Sequence, residues 1–341
     1  MDVMAYRPEP AEMVFTFGGV KPVRRITPGT VLELWTEDAF GGKIRTADDV
    51  SSRVIDARFL NPQTGPFYVE GAEEGDTLAV HFVSIEPSRD WGVSTTVPFF
   101  GGLTSTPRNA TMQEALPEIV WVYEIDRAKR TVTYRSARSD YSIELPLDPM
   151  HGTVGVAPAL YEARTSLTPD AFGGNMDTPE MRAGTTCYLG VNVEGALFSV
   201  GDGHARQGEG ETCGVAVECA MDSVLIVDLI KNTATPWPRL ENDTHIMVAG
   251  SSRPLEDAWR IAHHGMVSWI ADDFGLDPLD AYQLVTQTAE TPVANVVDVN
   301  YTIVTKLRKQ WLPEPTVYGG TRQRLVEQGQ AYLSERGGTS G

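Results

Sequence analysis

The chain is poor in positive charge. It has 28 Lys and Arg against 46 Asp and Glu in 341 residues, a formal net charge of −18. Nucleic-acid binding rests on cations that neutralise phosphates, so a phosphate backbone is excluded as a partner. Most of the carboxylates are read as a solvated surface, although an acidic site could also draw in a metal cation. Cysteine is scarce and odd in number: Cys187, Cys213 and Cys219, with no CxxC pair. That excludes a disulfide framework and predicts free thiols. No apolar run approaches the roughly 20 residues that span a bilayer, which excludes a membrane partner. The segment Met1–Pro10 has no apolar stretch and carries Asp2, Arg7 and Glu9. No secretory signal is therefore expected, and a cytoplasmic location is.

What is present suits a globular protein. Apolar residues make up 41% of the chain, enough for a full core in one large domain or two modest ones. Gly (32) and Pro (22) punctuate short runs rich in Val, Thr, Ile and Tyr, which predicts a mainly β protein. Expected strands are Thr30–Trp35, Thr77–Ile85, Ile119–Ile125, Thr131–Tyr134, Ala196–Val200, Cys213–Ala220 and Ser223–Leu229. In Cys213–Ala220 the residues Cys213, Val215, Val217 and Cys219 alternate with smaller or polar ones, as in a half-buried strand with both cysteines in the core. His81, on the strand Thr77–Ile85, reads as a satisfied core histidine.

Helical spacing of Leu255, Ala258, Trp259, Ala262, Met266, Trp269 and Ile270 predicts a helix over Pro254–Phe274, stopped by Gly275. A second is predicted over Pro278–Gln287 with Asp277 as N-cap. A third is expected near Arg322–Glu335, before a flexible tail. The long stretch Ser88–Thr111 carries Trp91, Phe99 and Phe100 and is expected to form a loop, either a lid over a pocket or an interface. Three parts follow: a mainly β core over 1–245 that carries the site, an α/β portion over 246–320 packed on it, and a helix with its tail over 321–341.

Chemistry concentrates in three clusters. Gly201-Asp-Gly-His-Ala-Arg-Gln-Gly-Glu-Gly-Glu211 holds one Asp, one His and two Glu. If extended, Asp202 and His204 share a face, since strand side chains alternate with period two. Both could reach one ion, with Glu209 and Glu211 closing on it. A mixed His and carboxylate set suits zinc; an all-oxygen subset suits calcium. A solvated acidic turn is the competing reading. Phe172-Gly-Gly-Asn-Met-Asp-Thr178 brings Asn175 and Asp177 beside two glycines that permit close backbone approach. His151-Gly-Thr-Val-Gly-Val-Ala-Pro158 adds a third candidate, His151. Three nucleophile or metalloprotease plans are absent. There is no Gly-x-Ser-x-Gly elbow and no serine-rich Ser-Ser-Lys signature, and adjacent His263 and His264 are not an HExxH pair. Cys187 also lacks a nitrilase-type setting. These absences favour activated water.

In this order, the three clusters together with Gly184-Thr-Thr-Cys-Tyr-Leu resemble the acetamidase/formamidase family, as does Leu60-Asn-Pro-Gln-Thr-Gly-Pro-Phe-Tyr upstream. The likeness runs over about residues 20–315. It implies a mainly β fold of sandwich-like parts with a smaller C-terminal α/β portion, and a homodimer or higher homo-oligomer. It implies hydrolysis of a small linear amide to ammonia and a carboxylate, helped by a divalent metal. Asp202, His204 and Glu211 are then the expected ligands, zinc before calcium. Asn175 is the expected carbonyl donor, Asp177 or Glu209 the proton shuttle, and His151 a further site residue. The other reading is a β-sandwich binding protein whose acidic turn holds structural calcium. One departure stands out: Glu290 occupies a position where the family has Asp, which could alter the pocket.

Overall fold

The run Thr-Leu-Ala-Val-His-Phe-Val-Ser-Ile-Glu-Pro forms the strand Thr77–Pro87, whose first six residues are all buried. Apolar residues on both faces are what a central strand needs. It lies inside a nine-stranded sheet in the order Val3–Tyr6, Thr30–Thr36, Met221–Ile230, Thr77–Pro87, Thr186–Gly190, Arg239–Glu241, His245–Ser252, Tyr301–Arg308 and Val293–Asn295. The computed structural model describes residues 2–104 and 114–337.

A second sheet has the order Ser142–Pro146, Thr131–Arg135, Val120–Asp126, Trp91–Thr95, Val217–Glu218, Phe198–Arg206, Met150–Gly155 and Gly173–Asn175. Gln63–Val69 also pairs with Phe198–Arg206 and with Arg24–Ile26. Leu32 and Phe82 of the first sheet share one buried cluster with Phe67, Val154 and Phe198 of the second. The two sheets thus face each other across a common core, and the fold is mainly β and sandwich-like.

The helix Leu255–Phe274 buries Ala258, Ala262, Met266, Trp269 and Ile270 along one face. That face packs on His245–Ser252 and Tyr301–Arg308. Gly275, at φ 64°, ends the helix. Asp277 caps the helix Pro278–Thr288 by accepting from the Leu279 N–H. The helix Thr321–Gly337 lies over Thr77–Pro87. Residues 338–341 of the expected tail lie outside the described residues. His245–Ser252 bonds directly to Arg239–Glu241, so the first sheet runs unbroken across residue 245.

Two sequence expectations need correction. Only Val217–Glu218 of Cys213–Ala220 forms strand, because residues 212–214 turn at Gly214 (φ 92°); Cys213 is exposed and Cys219 buried. Within Ser88–Thr111, Trp91–Thr95 is a strand paired with Val120–Asp126 rather than loop. The part of that stretch from 105 to 111 lies outside the described residues. Among the described residues no helix is long and apolar enough to cross a membrane.

Candidate active site

The strand Phe198–Arg206 is the spine of the site. Met150–Gly155 pairs along one edge, with His204 opposite Met150 and Gly201 opposite Thr153. Between them lies Gly152. A side chain there would collide with Asp177 Oδ1, Asp202 Oδ2 and His204 Cε1. Glycine is what lets two carboxylates and an imidazole crowd over one point of backbone.

Asp202 and His204 do share a face, and Glu218 joins them. Asp202 Oδ1 and Glu218 Oε2 each lie 3.3 Å from His204 Nε2. Glu218 faces Val93 and His204 across a short ladder whose register shifts between His204 and Arg206. A second set gathers Asp177, His204 and Glu211. Asp177 sits just past the strand Gly173–Asn175, with its N–H donating to the Gly152 carbonyl at 3.1 Å. Asp298, beyond Val293–Asn295, completes the pole: Asn175 Nδ2 donates to Asp298 Oδ2 at 2.8 Å and to Asp177 Oδ2 at 3.0 Å. Asp177, Asp202 and Glu211 all hold left-handed backbone, at φ 46°, 57° and 45°. Such conformations are costly for residues with a Cβ and persist where the surroundings impose them, which is common at functional sites.

A polar network supports the acids. Asn61 Nδ2 donates to Asn175 Oδ1 at 2.8 Å and to Thr153 Oγ1 at 2.9 Å, and Gln63 Nε2 donates to Asn61 Oδ1 at 2.7 Å. Thr153 Oγ1 lies 3.1 Å from Asp202 Oδ2. Gln207 Nε2 donates to the Asp177 and Ala294 carbonyls, so its Oε1 must accept from His204 Nδ1, 2.9 Å away. In the neutral imidazole the proton is thereby fixed on Nδ1, and Nε2 is the free lone pair.

Burial makes this much negative charge expensive. It pushes Asp177 well above the ordinary carboxylate range, with Asp298 and Asp202 adding to the effect. Burial and Asp177 do the same to Glu211. Glu218 is raised to about 7 by burial, which His204 partly offsets, and Asp298 to about 8 by burial, with hydrogen bonds to Asp177 and Asn175 opposing and the charges of Glu211 and Asp202 adding. Burial also opposes charge on Asp202 and His204. Attraction to His204 outweighs it for Asp202, which is held below its usual value, and the charges of Glu218 and then Asp202 outweigh it for His204, which is held well above its own.

The acids line one end of a cavity of about 350 Å³. Asp177 Oδ1 is buried with no hydrogen-bond partner, and Glu218 Oε2 is buried with only the 3.3 Å approach to His204 Nε2. Such carboxylate oxygens beside a histidine nitrogen are the donor set a divalent cation takes, so the residues fit a metal. The expected ligands divide between the two sets: Asp202 and His204 go with Glu218, and Glu211 goes with His204 and Asp177.

Other expected site residues stand apart. Glu209 is exposed and absent from the cavity wall. His151 is fully buried, and its ring nitrogens are spent on the Gly201 carbonyl (2.9 Å) and Ser223 Oγ (2.8 Å). Asn175 reaches the cavity, but both its N–H groups are committed to Asp177 and Asp298, so it is no free carbonyl donor. Glu290 lies at the surface, paired with Arg308 at 3.0 Å, and does not shape the pocket. Glu218 and Asp298 were missed. Their only sequence signals were Val-Glu-Cys after the acidic cluster and Val-Val-Asp at the end of an apolar run.

Fold and site together define a mainly β protein with one buried acid–histidine pole opening on an apolar cavity. The acetamidase/formamidase family pattern matches residues 17–161 and 156–308, and the chain belongs to that family. It is 41% identical to an acetamidase from Yersinia enterocolitica of known structure, with 92% of this chain and 93% of that chain covered and a TM-score of 0.86. An acetamidase structure from Bacillus halodurans is 30% identical, covering 90% and 98%, with a TM-score of 0.80. A formamidase from Methylophilus methylotrophus is 26% identical over 260 residues, 62% of each chain. The chain spans 61% to 69% of the length of the curated relatives it matches.

Proposed function

We propose that the protein hydrolyses the C–N bond of a small linear amide to ammonia and a carboxylate, assisted by a divalent cation. The observation that carries this is the buried donor set at one end of a ligand-sized cavity: the unpartnered Asp177 Oδ1, and Asp202 and Glu218 oxygens that converge on His204 Nε2. Named relatives of the family act as acetamidases and formamidases.

Asp202, His204 and Glu218 would hold the cation, which would take the place of the proton on His204 Nε2 while Gln207 keeps the other proton on Nδ1. A mixed nitrogen and carboxylate set favours zinc over calcium. When bound, the cation supplies a Lewis acid and lowers the pKa of water from near 16 toward about 7. Asp177 carries an oxygen free to relay a proton to the departing nitrogen. Water's oxygen forms the new C–O bond, the C–N bond breaks, and ammonia leaves with the proton. Asn61 and Asn175 keep Asp177 and Asp298 in place. With this reading go the homodimer or higher homo-oligomer expected from the resemblance and the cytoplasmic location expected from the sequence.

Ammonia release from short amides by metal-stripped and zinc-restored protein tests the proposal. Activity should vanish on stripping, return with zinc, and be lost in His204→Ala together with bound metal. Full turnover in metal-free protein would sink the metal role. Calcium binding without ammonia from any amide would instead identify a binding protein.

A further inference from the structure

The cavity is too large and too apolar for the smallest amides. Formamide and acetamide have three and four non-hydrogen atoms, while about 350 Å³ lies in the range that accepts drug-sized ligands. Its polar lining is the acidic pole together with Arg253, whose guanidinium donates to the Val297 and Asp298 carbonyls. The remaining wall includes Phe40, Leu60, Phe100, Leu167, Val215 and Val297.

This apolar wall is built, not incidental. Asp38 Oδ1 accepts from the Phe40 and Gly42 N–H groups at 2.9 and 3.0 Å, and Arg89 donates to Asp38 Oδ2 at 2.7 Å. Phe40 also packs in a cluster with Val93, Val120 and Val215. Gly214 leaves room for the Phe100 ring, which stands 2.5 Å from where its Cβ would be. An empty apolar chamber of this size gains nothing from a substrate that fills only the pole, whereas a hydrocarbon group placed in it would be removed from water.

The pole also says which end of the amide points where. Asn61, Asn175, Asp177, Asp202, Glu211, Glu218 and Asp298 line it, and the N–H groups of Asn175 are already spent. Carboxyl and carboxamide oxygens dominate it, and these accept hydrogen bonds even where a carboxyl group carries its proton. An unsubstituted NH₂ offers two donors to such acceptors; an N-alkyl amide offers one and pushes carbon against carboxylates. The apolar chamber is left for the acyl side.

We propose that the preferred substrate is a primary carboxamide whose acyl group is a branched or aromatic hydrocarbon, with NH₂ at the acidic pole. This rests on the amidase reading. Water adds to the carbonyl carbon, the C–N bond breaks, and the products are ammonia and the apolar carboxylic acid.

The test compares kcat/KM for formamide, acetamide, isobutyramide, phenylacetamide and N-methylphenylacetamide with the metal-loaded full chain. Acid formation is followed so that both amine products count. Phenylacetamide should exceed acetamide at least tenfold, mainly through KM, and exceed its N-methyl form at least tenfold. Leu167→Phe, which fills the chamber, should lower the phenylacetamide to acetamide ratio about tenfold. Phenylacetate should raise Tm more than acetate does at equal concentration. Acetamide matching or beating phenylacetamide overturns this inference and leaves the amidase reading standing. A preferred N-methyl substrate overturns the orientation. No acid from any amide overturns the amidase reading, and the Tm comparison still decides whether the chamber takes apolar acyl groups.

Discussion

His204 Nδ1 lies 2.9 Å from Gln207 Oε1, three residues along the same chain, and that contact sets which imidazole nitrogen faces the acids. Gln207→Leu removes the acceptor that fixes the tautomer. Cation affinity or kcat should fall about 10- to 100-fold with little change in Tm. Metal content by elemental analysis and ammonia release check it. Turnover within twofold of the parent at full metal loading would mean the contact is only structural.

Gly152→Ala tests the crowding at the pole. The added methyl meets Asp177, Asp202 and His204, so at least one of the three must leave its present position. Overpacking of this kind costs about 1–3 kcal/mol. A lower Tm is expected, together with at least a hundredfold loss of ammonia release. A variant of parental stability and activity would show that the acids stand farther apart than described.

His81 supplies a pH dependence away from the site. Its Nδ1 meets Thr186 Oγ1 at 2.9 Å. Burial, with Arg322 adding to it, lowers its pKa from 6.5 to about 4. The unfolded chain therefore takes up the proton first. The neutral imidazole's stabilisation is complete above about pH 6.5 and is lost as pH falls toward about 4, roughly 3 kcal/mol in all. His81→Gln cannot titrate, so the stability gap between parent and variant in urea unfolding should shift in the variant's favour across that window. A gap constant from pH 7 to 4.5 would contradict it.

The thiols divide cleanly. Cys213 is exposed, while Cys187 and Cys219 are buried. Burial pushes the Cys219 thiol up to about 12 and Cys187 higher still, so neither is a ready nucleophile. A disulfide-exchange reagent should label one thiol per native chain quickly and three after unfolding. Cys213→Ser should remove the fast phase and leave ammonia release within a few fold. An inactive but folded Cys213→Ser protein would favour a covalent thioester route.

Asp202 and His204 were legible because two residues on one strand share a face, and a local pattern can say so. Asp177 was legible beside its glycines for a similar reason. Glu218 was hidden by its neighbours: Cys213, Val215, Val217 and Cys219 alternate so regularly that Glu218 reads as the solvent side. Only the register shift beside His204 turns it inward. Asp298 lies 94 positions beyond His204, and nothing local reveals that Asn175 bridges it to Asp177. What the sequence does not show for Asn175 and His151 is their hydrogen-bond supply, which is taken up by partners brought in from other strands. Helices and most strands needed only periodicity and caps, and there the reading came within a few residues.

The order of the first sheet has a bearing on how the chain is made. Met221–Ile230 fits between Thr30–Thr36 and Thr77–Pro87, so those early strands leave the ribosome about 190 and about 140 residues before the one that joins them. Their edges stay open during that interval, as bare N–H and C=O rows able to pair with other chains. Closure of the circuit comes last, when Tyr332 donates to Glu33 across 299 positions. Contacts this distant in sequence make for slow folding and for exposure to aggregation on the way. The interval of synthesis between about residues 90 and 230, with the sheet half drawn, is thus the one in which mispairing is most open to the chain.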